Sequence, residues 1–279
     1  MRWIRDRKTS VTSHLPVDED THRQSQLRAE YLRVESEIHF AAQSSVVDGF
    51  WRTFEANAWY EDGLATLKNQ GFRNTQNFID AYDAAVREAT SLNLDPHIRW
   101  RAHIFESFLR SAKPGTRLEL GTAHGFMFKF ALTKHKLDGC LDLGSEIILV
   151  DKFSQNSVDP VSGELLDQMN VRYANDIQAV KSTFQAFPNV RVEQGDVPEV
   201  LSSLDLKTIS FLHLDLNAAN PEAEALEQLW PKLIPGAFVL LDDYGFLEFL
   251  PSQIAHDRLA SRFGKSICLL PTGQGLLIK

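Results

Sequence analysis

Cysteine is almost absent. The 279-residue chain has only Cys140 and Cys268, far apart and without C-x-x-C spacing, so neither a disulfide framework nor a zinc cage is indicated and a reducing cytoplasm is the expected compartment. Long apolar runs are missing too: none approaches the roughly 18 residues of a membrane span. The start, "MRWIRDRKTSVTSHLPVDEDTHRQSQ", has no apolar segment behind its basic residues, so neither a membrane partner nor a secretory signal is expected. Positive charge is in deficit, with 29 Lys and Arg against 37 Asp and Glu and a net charge of -8. That balance offers no broad footprint for a phosphate backbone, so nucleic acid is not an expected partner and a small molecule is the better substrate class. Repeats and low-complexity tracts are also lacking. What is present is 43% hydrophobic residues, enough at this length for a substantial core.

Residues 1–27 are polar and charged and read as a mobile arm, while 28–112 read as a helical N-terminal region. In "FWRTFEANAWYEDGLATLKNQGF" and "TQNFIDAYDAAVREATSL" apolar residues recur three and four apart. Trp3, Trp51, Trp59 and Trp100 all fall in this first part. Helix packing is the expected use of these aromatics; an acceptor pocket or a dimer face is the alternative, which would make the region a homo-oligomer contact. From 113 to 279 the texture changes: "TRLELG", "EIILVD", "VRVEQGD", "ISFLHLDLN" and "AFVLLDDYG" read as strands, alternating with the helical "MFKFALTKH", "YANDIQAVKSTFQAF" and "PEAEALEQLWPKL". Strands separated by helices imply a mainly parallel α/β sheet. The closing "SICLLPTGQGLLIK" reads as a hairpin that adds an antiparallel strand.

The chemistry-bearing residues gather at strand ends. Glu119 precedes Gly121 and Gly125 in "LELGTAHGF", a strand-to-helix turn where glycines admit close backbone approach and a helix N-terminus adds partial positive charge. The dinucleotide fingerprint G-x-G-x-x-G is not met, because Ala123 stands at its middle glycine. A nicotinamide oxidoreductase is disfavoured accordingly. Asp151 ends the second strand, where a carboxylate can accept both ribose hydroxyls or cap the next segment. Gly195-Asp196 ends the third and could meet an adenine and its exocyclic amine.

On "ELGTAHG", "LVD" and "QGD" in this order, residues 97–279 resemble the class I S-adenosylmethionine-dependent methyltransferases. Within that superfamily, "HLDLNAANPEAEALEQLWPKLIPGAFVLLDDYG" followed by "LPTGQGLLIK" resembles the macrocin O-methyltransferase type, which acts on sugars and natural products. The resemblance implies a Rossmann-like, doubly wound seven-stranded sheet, S-adenosylmethionine as cofactor, and a small-molecule hydroxyl as acceptor. It assigns Glu119 and the turn Gly121, Thr122, Ala123 and Gly125 to the methionine part, Asp151 to the ribose, and Gly195 and Asp196 to the adenine. Asn217-Ala218-Ala219-Asn220 stands where the family has Tyr-Glu-Ser-Thr, and Ala218 stands where catechol-type enzymes carry a lysine.

Asp215 ends "ISFLHLDLN" and Asp242-Asp243 ends "AFVLLDDYG". Neighbouring parallel strands lie about 4.8 Å apart, so these carboxylates converge, and like charges that converge ask for a cation. Oxygen ligands suit Mg²⁺, and the resemblance implies magnesium at these positions. Asp215, Asp242 and Asp243 are therefore the expected metal ligands; in the alternative, Asp243 caps a helix and Asp215 is a simple base. Asp215 is the first candidate base, and His213, two residues earlier on the same strand face, the second. His124 and His256 are further candidates, Tyr244 is expected to pack beneath the site, and Arg99 and Arg101 to be surface arginines on a helix. Competing functions are a metal-independent methyltransferase, a nucleic-acid amino-methyltransferase suggested by "AANPEA" but lacking the aromatic after its proline, and a catalytically silent nucleoside-binding scaffold.

Overall fold

The computed structural model describes residues 59–66, 68–90, 93–153 and 176–279, all within one compact unit, Asn57–Lys279. The expected N-terminal arm and most of the expected helical region before residue 59 lie outside the described residues. At 59–66, where helical spacing was read, the chain forms a two-stranded antiparallel hairpin, β1 (Trp59–Glu61) and β2 (Leu64–Thr66). The overlooked signal is Asp62-Gly63: both residues sit at positive φ (52° and 72°), as a two-residue hairpin turn requires, and Glu61 pairs with Leu64 across it. The expected helices follow as α1 (Gln76–Glu88) and α2 (Arg99–Ser111). In α2 the buried residues Ala102, Phe105, Glu106 and Leu109 recur at helical spacing, giving one inward stripe.

The main sheet has seven strands: β3 (Thr116–Leu120), β4 (Ile147–Asp151), β5 (Val190–Gln194), β6 (Ile209–Leu214), β7 (Leu233–Leu241), β8 (Cys268–Leu269) and β9 (Gly275–Ile278). Their spatial order is β5-β4-β3-β6-β7-β9-β8, parallel from β5 through β7, with β9 antiparallel between β7 and β8. This is the doubly wound sheet with its C-terminal hairpin that the alternating texture predicts. The helices are α3 (Phe126–Leu137), α4 (Ile177–Thr183), α5 (Ala219–Leu229) and α6 (Leu250–Arg262). Strand β7 starts four residues before the segment read from sequence, and a register irregularity against β6 absorbs Pro235-Gly236.

Alternation along the strands sorts side chains to two cores. Phe211, Leu149 and Leu240 pack with Phe105, Phe128 and Phe130 on one face, whereas Leu118, Leu212, Leu214, Val239 and Leu241 pack with Leu226, Leu229 and Leu259 on the other. The first face is rich in edge-to-face aromatics, such as Phe105 against Phe128 at 5.1 Å and against Phe211 at 5.2 Å. Trp100, edge-on to Phe72 at 4.7 Å, is used in packing, as expected for it. Successive strands run outward from β3 to β5 and then jump back to β6 and β7, so the order reverses between β3 and β6. In open parallel sheets ligands bind outside the carboxyl ends of the strands at such a reversal.

Candidate active site at the β3–β6–β7 strand ends

Register brings the acids together. Glu119 lies opposite His213, and His213 opposite Leu240. Asp215 and Asp242 follow at the strand ends, tied by the Asp215 N–H to the Leu120 carbonyl and the Asp242 N–H to the Leu214 carbonyl, each at 2.9 Å. With a period of two, Glu119, His213, Asp215 and Asp242 share the sheet face that α2 covers. The ligand atoms of His213, Asp215 and Asp242 all lie within 4.8 Å of one another.

Arg101 is the positive partner that the aspartate pair calls for, and the expectation of a surface arginine is corrected. Its Nη1 meets Asp242 Oδ2 at 2.5 Å and lies 3.9 Å from Asp243 Oδ1, while Nε and Nη2 face the two oxygens of Asp62 at 2.6 and 3.0 Å. Only 15% of the side chain is exposed, and the Phe246 ring lies 5.2 Å from the guanidinium carbon. Arg99 is likewise inward: Glu61 takes its guanidinium at 2.7 Å and its backbone N–H at 2.8 Å. Carboxylate at a helix start suits the macrodipole. The hairpin therefore docks on the first turn of α2 through two arginines, a pairing that the reading of 59–66 as helix concealed.

His213 is fully buried, with Nδ1 2.9 Å from Glu119 Oε1 and Nε2 3.4 Å from Asp242 Oδ1. Burial alone would lower its pKa, but the bonds to Asp242 and Glu119 outweigh it and push the imidazole up to about 10. Both ring nitrogens are turned to carboxylates, so His213 bridges β3 and the end of β7 in this geometry and presents neither nitrogen to a substrate, as the second candidate base would need to. Glu119 gives its other oxygen to the Thr122 hydroxyl at 2.8 Å, and so turns inward to hold the turn and His213. Gln274, unmarked in the sequence reading, donates Nε2 to Asp242 Oδ1 at 2.8 Å and is itself held by Thr272.

The three aspartates differ in charge state. Burial would raise Asp242, but Arg101 and His213 hold it well below the usual carboxylate range. Burial and then the charges of Asp242 and Asp243 push half-buried Asp215 well up, and burial with the Asp242 charge raises Asp243 to about 8. Asp243 Oδ2 is buried without a hydrogen-bond partner among the described residues. Of the expected metal ligands, Asp215 and Asp242 are brought within ligating reach of one another, together with His213, and Asp243 is not in that group; the carboxylate oxygens have the chemistry for a hard divalent cation, with Arg101 neutralising part of the charge.

Two glycines of the turn are required by the protein's own packing. A Cβ on Gly121, at φ +91°, would fall 1.8 Å from the Asp215 carbonyl oxygen, and one on Gly125, at φ +84°, 2.6 Å from the Phe184 ring. These positions need glycine so that β3 can approach β6 and α3 can start against Phe184. Asp151 accepts the Ala123 N–H at 2.7 Å through Oδ2 and the Phe153 N–H at 3.0 Å through Oδ1. Each oxygen keeps a second acceptor position, so a diol fits there too. Gly195 bonds to the Asp151 carbonyl, and exposed Asp196 pairs with Lys152 at 2.8 Å, at the outer side of the same strand ends.

The remaining candidates sit apart from the acids' shared face. Half-buried His124 lies within the turn. Tyr244, 6% exposed, packs in the second core and donates to Asp257 at 2.6 Å, as its expected packing role requires. His256 is 1% exposed, and burial lowers its pKa to about 4. An imidazole depressed in the fold contributes stability that is complete above its unfolded pKa of 6.5 and is lost as pH falls through about 4. Relative to His256→Leu, wild-type protein should lose about 3 kcal/mol across that interval in urea unfolding. A difference that stays flat with pH would rule out the buried neutral imidazole.

The strand order is the one that the resemblance to class I S-adenosylmethionine-dependent methyltransferases implies. Residues 118–244 match the family described as Methyltransferase domain, so this chain is an enzyme of the methyl-transfer class. Solved structures agree in fold. The O-methyltransferase NovP is 18% identical with a TM-score of 0.54, over 70% of this chain and 88% of that one. CalS11, described as a calicheamicin methyltransferase, is 15% identical with a TM-score of 0.51, over 79% and 96%. An apo structure of CalS11, described as a TDP-rhamnose 3'-O-methyltransferase, is 18% identical with a TM-score of 0.50, over 67% and 82%. No curated protein matches the chain. Among the described residues no helix is long and apolar enough to cross a membrane.

Proposed function

We propose that this enzyme methylates a hydroxyl oxygen of a small molecule, a sugar or another natural product, with the help of a divalent metal ion. The observation that carries the reading is the convergence of Asp215 and Asp242 at adjacent strand ends, with ligand atoms within 4.8 Å of each other and of His213, and Asp243 next in the chain with a buried oxygen that has no hydrogen-bond partner among the described residues. CalS11, which shares the fold, is described as a calicheamicin methyltransferase and a TDP-rhamnose 3'-O-methyltransferase, which favours this acceptor class. S-adenosylmethionine supplies an activated methyl group, and Mg²⁺ supplies Lewis acidity toward a hydroxyl. Asp215, which follows directly on β6, faces the acceptor and takes its proton, while Asp242 and Asp243 complete the oxygen ligand set. Asp151 binds the ribose, Gly195 and Asp196 lie by the adenine, and Glu119 with Gly121, Thr122, Ala123 and Gly125 shapes the methionine end. Arg101 keeps Asp242 ionised and oriented.

Calorimetry with S-adenosylmethionine should give a binding isotherm that Asp151→Ala weakens about 10- to 100-fold, the worth of hydrogen bonds to a charged group. Methyl transfer from labelled donor to nucleotide sugars and to catechol, with and without EDTA, tests the acceptor and metal readings. Absence of any donor binding would sink the functional assignment. Full activity in excess EDTA would leave Asp215 as a metal-free base.

A further inference from the structure

The most unusual buried acid outside the ligand set is Glu222, 4% exposed in the first turn of α5. The N-cap of this helix is Ala218, which has no side-chain oxygen to offer. Capping is not what Glu222 does, however. Its Oε1 accepts the Leu216 N–H at 3.1 Å, and the backbone N–H groups of Ala218 and Asn217 act on the same carboxylate, opposing the burial that raises its pKa. The unsatisfied donors of a helix start lie within its first turn; two of these three belong to the loop before the cap. Successive backbone N–H groups that converge on one anion form a nest, and here the anion is a side chain of the protein itself. Within the nest Asn217 sits at φ +56° and donates Nδ2 to Asp215 Oδ1 at 3.3 Å. On the far side, Glu222 Oε2 lies 3.5 Å from His256 Nε2 of α6, itself buried.

We propose that Glu222 is a positioning residue for methyl transfer. It anchors loop 216–218 from beneath and thereby sets the direction of Asp215 and of Asn217, which stands at the mouth of the site. This inference rests on the role proposed for Asp215, and it explains how a loop with Asn217-Ala218-Ala219 in place of bulkier residues keeps a defined shape. The loop's own side chains are too small to pin it, and the pin comes from the helix that follows.

Glu222→Ala and Glu222→Gln in the full chain test it, the glutamine retaining one acceptor oxygen as a partial rescue. Amide hydrogen exchange at Leu216, Asn217 and Ala218 should accelerate at least about ten-fold in the alanine variant, with β3 and β4 unchanged and glutamine intermediate, as expected of a local opening. Mn²⁺, used as a paramagnetic probe and followed by electron paramagnetic resonance, should bind about 10- to 100-fold more weakly to the alanine variant, the usual cost of removing a group that orients a ligand. S-adenosylhomocysteine affinity by calorimetry should stay within about two-fold of wild type, because its expected contacts lie on β3, β4 and β5. Unchanged exchange at 216–218 overturns the proposal, as does a loss of S-adenosylhomocysteine binding in parallel with Mn²⁺. Wild-type protein that takes up no Mn²⁺ overturns the metal reading instead, and the exchange pattern then decides the anchor alone.

Discussion

Arg101→Met is expected to be the most destabilising single change in the site, costing about 3–5 kcal/mol, because it leaves buried carboxylates without their cation. The guanidinium serves Asp242 with one nitrogen and the two oxygens of Asp62 with two others, and each of those acids was placed by a different part of the chain. Without it, Asp242 faces Asp215 and Asp243 with only His213 and Gln274 to offset its charge. Arg101→Lys should restore little, since an ammonium is a point charge and cannot span two carboxylates in a fixed fork. The pH dependence follows from Asp242, whose folded pKa lies below its unfolded value of 3.8. Its contribution is present above that value and fades as pH falls through the folded pKa, so the gap between wild type and Arg101→Met should narrow in acid. Adding Asp62→Asn to Arg101→Met should recover part of the loss, because one orphaned carboxylate disappears. Urea unfolding of the two single variants and the double variant measures this coupling. An Arg101→Met protein within about 1 kcal/mol of wild type would mean that the pair behaves as a solvated surface bridge.

Much of this site was legible in the sequence, and the rest was hidden for identifiable reasons. The strands from "TRLELG" to "AFVLLDDYG" announce themselves as short apolar runs bounded by turns, and the strand-end positions of Asp215 and Asp242 follow from where those runs stop. The C-terminal hairpin was equally plain from "LPTGQG" between two apolar pairs. Pairings across elements were not legible. That Glu119 would face His213 depends on the register of β3 against β6, which no local pattern encodes. Arg101 is one charged residue in a helix with several, and only the docking of the β1–β2 turn distinguishes it. Gln274 carries no charge, so nothing in "PTGQG" marked it as a donor to Asp242. Helical spacing also misled at 59–66, where apolar residues in an eight-residue hairpin happen to fall three or four apart. The glycines of the turn were read as admitting close backbone approach, and at Gly121 the backbone that approaches is the Asp215 carbonyl of the next strand end.

Asp215→Asn should have the largest effect on turnover, about 10²- to 10⁴-fold, the span removed with a general base. Asp215 is suited to this because Asp242 is already held by Arg101, His213 and Gln274, which fix its orientation as a ligand, whereas Asp215 is bonded through its side chain to Asn217. The asparagine variant keeps shape and one oxygen, so S-adenosylhomocysteine affinity should not change, whereas labelled methyl transfer should collapse. Metal dependence then separates the two chemical roles of Asp215. As a ligand, its loss should raise the Mg²⁺ concentration needed for half-maximal activity and weaken Mn²⁺ binding. As a base alone, its loss should lower turnover at every Mg²⁺ concentration and leave Mn²⁺ affinity intact. Asp243→Asn is the control with the opposite sign in metal-free protein. A carboxyl raised to about 8 in the fold against 3.8 unfolded contributes stability at low pH that is lost as pH rises between those values. The asparagine removes that loss, so the metal-free variant should be more stable than wild type at pH near 8 and should gain less from Mg²⁺. Retention of wild-type turnover by Asp215→Asn would move the chemistry away from this cluster altogether.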